Sequence, residues 1–164
     1  MPGLEDLYRE IILDHYRNPR NRGELSTPPA HKAEGFNPLC GDEIVLYVDV
    51  DGGNVIRDLK VGGQGCSISQ SSASMMSAAV KGKSVAEARR LIRAFKALMS
   101  IHESKLEGEG DGEDLRADLE GVRLGDLEAL QGVVKFPVRI KCATLAWNTL
   151  QQGLDEIEVG AAAE

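Results

Sequence analysis

Cysteines, aromatic residues and long apolar runs are all scarce in this chain. Three cysteines occur in 164 residues, an odd number set far apart. A small secreted disulfide scaffold carries an even and denser set, so reduced thiols in a cytoplasm are expected instead. Aromatics make up 4% of the residues, too few for a surface that stacks nucleobases. No segment approaches the ~18 consecutive apolar residues of a membrane span, and no apolar stretch with a cleavage site opens the sequence. A general excess of positive charge is missing too. The net charge is −7, and it is local: from Glu103 to Glu128 there are ten acidic residues and three basic ones, while the remainder is close to neutral. An acidic chain without a basic stripe argues against DNA or RNA as the main ligand.

What is present is an ordinary globular balance, 42% hydrophobic and 27% charged. The length suits a single domain over residues 1–164 that buries roughly 70% of its unfolded surface without a disulfide. The acidic stretch around residues 105–125 reads as solvated loop. Leu4, Leu7, Tyr8, Ile11 and Ile12 recur at helical spacing and predict an amphipathic helix that Pro19 stops. Asn21–Pro38 is rich in proline, glycine and polar residues and reads as mostly loop, with room for a short edge strand near His31–Glu34. Ile44–Val50 and Val55–Val61 flank Asp51-Gly52-Gly53-Asn54, which predicts a β-hairpin. Small residues from Ser67 to Val80 suit a tightly packed helix. Ser84 and Glu87 form a capping box for a helix from Val85 to about Ile101. A short helix is expected at Asp126–Leu130 and a last one from about Ala143 to Glu156. The order predicts an α+β fold: a small three-stranded antiparallel sheet with helices packed on one face; a metal site at one end of it is expected from the cysteines.

The chemistry concentrates on the cysteines. Cys40 precedes Gly41 and Asp42 at the start of the first hairpin strand. Cys66 lies between a glycine-rich turn and a helix. Cys142 lies between an extended Pro137–Ile140 segment and another helix. At a helix N-terminus, unpaired N–H groups and the dipole favour thiolate, the form that binds metal and attacks sulfur. Three thiolates with the carboxylate of Asp42 make a four-ligand set suited to zinc or to one iron of a cluster. Separations of 26 and 76 residues, with no C-x-x-C pair, leave three unrelated buried cysteines equally open at this point.

Four longer stretches go further. Leu7–Asn21 (LYREIILDHYRNPRN), Asn37–Asp42 (NPLCGD), Gly65–Met76 (GCSISQSSASMM) and Phe136–Trp147 (FPVRIKCATLAW) resemble, in order, the N-terminal helix and the three cysteine motifs of the IscU/SufU (U-type) iron–sulfur assembly family. The resemblance spans nearly the whole chain. It implies a protein that accepts persulfide sulfur from a PLP-dependent cysteine desulfurase and passes it to downstream assembly proteins. The alternative it implies is a scaffold on which a [2Fe–2S] cluster is built and transferred to apo-proteins. Whether the role counts as enzymatic sulfur transfer stays open.

Within the family the IscU branch has histidine just before its third cysteine, and the SufU branch has lysine and an insertion. Lys141 and the stretch Glu109–Gly125 make SufU the closer match. The resemblance therefore implies one zinc per chain on Cys40, Asp42, Cys66 and Cys142, with a transient [2Fe–2S] cluster or iron on the three cysteines as the alternative. Cys40, on a loop, is the expected sulfur acceptor. Arg139, three residues before Cys142, is expected to steady an anionic sulfur or to pair with the partner. His15, His31 and His102 are not expected as ligands, and the serines of Ser67–Ser74 are not expected to form a hydrolytic triad.

Overall fold

The computed structural model describes residues 2–27, 30–38, 41–107, 125–135 and 137–163. Cys40 and most of the acidic insertion lie outside these. The elements run α1 (Pro2–Arg17), β1 (His31–Asn37), β2 (Asp42–Val50), β3 (Ile56–Gln64), α2 (Ser67–Val80), α3 (Val85–Glu107), a run of 3-10 turns (Gly125–Lys135) and α4 (Pro137–Ala163). The three strands form one antiparallel sheet in the order β1-β2-β3. The expected α+β architecture is present.

The sheet buries a single face. Along β2, Asp42, Ile44, Leu46 and Val48 are buried and alternate with more exposed neighbours, as the two-residue strand period requires. The β2–β3 turn is held by Asp51, whose Oδ1 accepts from the Gly53 and Val55 N–H groups at 2.8 and 3.1 Å. Register shifts between Asp49 and Val50, so the buried series of β3 is Ile56, Leu59 and Val61. Helix α2 lies in the middle, with Ser71 to Ser77 all buried. Its small side chains permit close approach, and their hydroxyls are used rather than wasted. Ser71 Oγ donates to the Ile12 carbonyl of α1, and Ser72 Oγ to the Ala143 carbonyl of α4. Trp147 of α4 stacks on Phe95 of α3 with ring centres 4.6 Å apart. Ser84 caps α3 as expected, its Oγ accepting from Glu87 N–H at 3.1 Å.

Several expectations shift. β1 is a full strand to Asn37, three residues beyond Glu34, because each of its residues finds a partner on β2. Leu7 is 55% exposed, whereas His15 is buried with Ile11 and Ile12 packed against the core. The inward stripe of α1 thus centres on residues 8, 11, 12 and 15, and Leu7 lies about a quarter turn away at ~100° per residue. The segment Pro137–Ile140 is not extended but is the first turn of α4. Proline is preorganised for that first helical position, where its missing N–H has no partner to lose.

Candidate metal centre

One end of the sheet gathers three of the four expected ligands. Pairing of Asn37 with Asp42 and of Glu43 with Gln64 brings the start of β2 beside the end of β3, where Gly65 and Cys66 follow. Asp42 Oδ1 accepts the Cys66 N–H at 2.9 Å, and Cys66 Sγ lies 3.7 Å from Asp42 Oδ2. Gly65 makes this approach possible: a Cβ there would lie 2.6 Å from Asp42 Oδ1 and would collide with Ser69 Oγ. Cys66 is the N-cap of α2, and its sulfur takes the Ser69 N–H at 3.5 Å.

Cys142 arrives from the opposite side. It is the sixth residue of α4, so the expectation that it occupies a helix N-terminus is corrected. Its Sγ is buried, 3.8 Å from the Val138 carbonyl of the preceding turn and 4.0 Å from Asn37 Nδ2 of β1. Its place is set by the α2–α4 contact. Trp147 Nε1 donates to Ser72 Oγ at 3.1 Å, and that same hydroxyl donates to the Ala143 carbonyl, one residue from Cys142.

One ligand atom from each of Asp42, Cys66 and Cys142 lies within 4.8 Å of the others. In a tetrahedral zinc site with Zn–S ~2.3 Å and Zn–O ~2.0–2.2 Å, neighbouring ligand atoms are ~3.5–3.8 Å apart. The Cys66–Asp42 separation of 3.7 Å meets that spacing as it stands. Asp42 is fully buried and no cation pairs with it among the described residues. A buried carboxylate beside two thiols needs compensation, and a metal cation supplies it. The residues present therefore fit zinc. Cys40 lies outside the described residues; Gly41, the residue before Asp42, is exposed with φ +67°, in the left-handed region. Arg139 and Lys141 are both exposed on the first turns of α4.

A second constellation was missed from sequence. His15 Nδ1 is 2.8 Å from Ser74 Oγ, and His15 Nε2 is 2.9 Å from Asp126 Oδ2, a serine–histidine–aspartate line. Its signal was available, since His15 continues the inward stripe of Ile11 and Ile12. It is not a hydrolytic site. Ser74 is 2% exposed and its Oγ already accepts the Arg20 N–H at 2.9 Å, so no substrate carbonyl can reach it. It ties α1, α2 and the 3-10 turns together.

A small α+β fold that closes on an Asp–Cys–Cys cluster, with Asp42 and Cys142 buried and Cys66 half-buried, is suited to a thiophilic metal. Comparison with known proteins narrows this. The family model for the NifU-like N-terminal domain matches residues 7–143, and the chain belongs to that family, which includes IscU and SufU. It is 44% identical over 157 residues to the zinc-dependent sulfurtransferase SufU of Bacillus subtilis, covering 96% of this chain and 95% of that one. It is 39% identical over 151 residues to the iron–sulfur cluster assembly scaffold protein IscU of Streptococcus pyogenes, covering 92% and 84%. Among solved structures, one from Fervidobacterium islandicum, assigned to the scaffolds of the SUF system, is 32% identical with TM-score 0.66, covering 88% of this chain and 94% of that one. The expected family, and its SufU and IscU branches as the near relatives, are borne out. No helix among the described residues is long and apolar enough to cross a membrane.

Proposed function

We propose that this protein accepts sulfur from a cysteine desulfurase at a zinc site formed by Cys40, Asp42, Cys66 and Cys142. The observation that carries the reading is the convergence of Asp42, Cys66 and Cys142 within 4.8 Å, with the carboxylate fully buried. Cys40 is two residues before Asp42, within about 7 Å of chain. When bound, zinc keeps the cysteine sulfurs deprotonated at neutral pH. The Bacillus relative, similar over nearly its whole length, bears the name of a zinc-dependent sulfurtransferase.

The chain's own part in the transfer follows from thiol exchange. The Cys40 thiolate attacks the outer sulfur of the desulfurase persulfide. A new S–S bond forms on Cys40, the old one breaks, and the electron pair leaves on the desulfurase thiolate. No net oxidation occurs. Cys66 caps α2 and Cys142 lies within α4, which suits both to stay in place while Cys40 reacts. Arg139 and Lys141 offer exposed positive charge on the same helix turns as Cys142, suited to an anionic persulfide or to acidic groups of the partner. Sulfur then passes to a downstream assembly protein.

The test uses the zinc-loaded full chain with a PLP-dependent desulfurase and cysteine, followed by alkylation and mass mapping. Persulfide should appear on Cys40 and be absent from Cys40→Ser. Persistent labelling on Cys66 or Cys142 overturns the Cys40 assignment. The second reading, a scaffold for a [2Fe–2S] cluster as cargo, is favoured by the Streptococcus relative. Anaerobically purified protein that is brown and carries inorganic sulfide would decide for it. Colourless protein with about one zinc counts against it, and the Cys40→Ser labelling then separates sulfur transfer from a zinc-stabilised interaction domain.

A further inference from the structure

Away from the metal centre, α3 and α4 flank a half-open recess of about 220 Å3 lined by Arg89, Ile92, Arg93, Lys96 and Gln151. Gln151 is nine residues beyond Cys142, ~13 Å along the helix at 1.5 Å per residue, so this is a separate place. The cations come from an unusual run. Between Glu87 and Glu103, α3 carries Arg89, Arg90, Arg93 and Lys96 and no acidic residue, in a chain of net charge −7. This short basic run on α3 departs from the expectation of a chain without a basic stripe, because the overall charge conceals it.

The helices face each other as a ladder. Arg89 pairs with Asp155 at 2.8 Å, and its Nη2 lies 3.0 Å from Glu158. That nitrogen is closed off from solvent, yet it makes no aligned hydrogen bond. Both carboxylates serve Arg89. Lys96 has only the neutral Gln151 oxygen, at 2.6 Å, and Arg93 is exposed with no ion-pair partner among the described residues. Partial burial of Lys96 pulls its ammonium below the usual lysine range, which Asp155 only partly offsets. A partly buried ammonium with one neutral acceptor, beside a guanidinium that has no ion-pair partner among the described residues, is an incomplete arrangement.

We propose that this recess binds a phosphate-class oxyanion. The Arg93 fork would take two oxygens, and Lys96 a third. Ile92 is buried and forms the apolar wall that limits the site to a small group. A recess of this volume, rather than a flat basic face, favours such a group over an acidic protein surface.

The test titrates the zinc-loaded full chain with inorganic phosphate, glycerol phosphate and polyglutamate, following arginine Nε–H and glutamine side-chain NMR signals. Saturable shifts at Arg93 and Gln151 with inorganic phosphate, or only with the monoester, support the site and tell a free ion from a phosphoryl group of a larger molecule. Arg93→Gln/Lys96→Gln should raise the dissociation constant at least about tenfold. Arg93→Gln alone, at an exposed position, serves if the double variant fails to fold. Binding of polyglutamate only, no saturation with any probe, or equal binding by the folded variants overturns the proposal.

Discussion

At the scale of single residues, Asp42 and Gly65 carry most of the metal site's geometry. Asp42 accepts the Cys66 N–H and offers its second oxygen toward the sulfur. Asp42→Asn keeps an acceptor for that N–H but removes the anion. We expect a folded protein whose zinc affinity, measured by chelator competition, falls at least about tenfold. Gly65→Ala leaves all four ligand residues in the sequence but crowds one of them. Its methyl group would displace Asp42, because the carboxylate oxygen lies 2.6 Å from where that carbon must go. The same competition assay should show weaker zinc binding. The glycine-rich turn before Cys66 was legible in sequence as a place of close approach. Which atom approaches was not, since Asp42 comes from another strand. Likewise His15 could be placed on a helix, but its partners Ser74 and Asp126 are 59 and 111 residues away and only packing brings them in.

At the scale of elements, the site is an agreement between α2 and α4. Cys66 opens one helix and Cys142 rides inside the other, so their separation depends on how the helices meet. Ser72 fixes that meeting by accepting from Trp147 and donating to Ala143. Ser72→Ala would leave the buried indole N–H unpaired, a cost of about 1–3 kcal/mol. Urea unfolding of the zinc-free protein should show it, with retained helical content. The strand period, the hairpin turn and the α3 cap were all readable, because they are local. The start of α4 was not, because a proline serves equally as the end of an extended segment and as the first residue of a helix. The length of β1 depended on β2 offering partners along seven residues, which its glycine- and proline-flanked sequence does not announce.

At the scale of the whole molecule, the metal centre joins the start of β2, the end of β3 and the N-terminal part of α4, so its occupant braces the sheet against the helices. Removing zinc with a chelator should lower the melting temperature, and restoring it should recover the loss, since a ligand bound only by the folded state stabilises it by mass action. An unchanged melting temperature would mean that the four residues do not form a structural zinc site. The four motif stretches made this centre legible as a set before any geometry was known. The ladder of α3 and α4 was invisible at that stage, because its charges come from two helices that the sequence does not align.

The most direct test of the account is the fate of sulfur. The zinc-loaded protein is mixed with a PLP-dependent cysteine desulfurase and cysteine, and intact mass is read before and after reduction. The account predicts faster alanine release and a reducible mass gain of one sulfur on the wild-type chain, both lost in Cys40→Ser that still holds its fold. No mass gain on the wild-type chain, with desulfurase turnover unchanged, would contradict it.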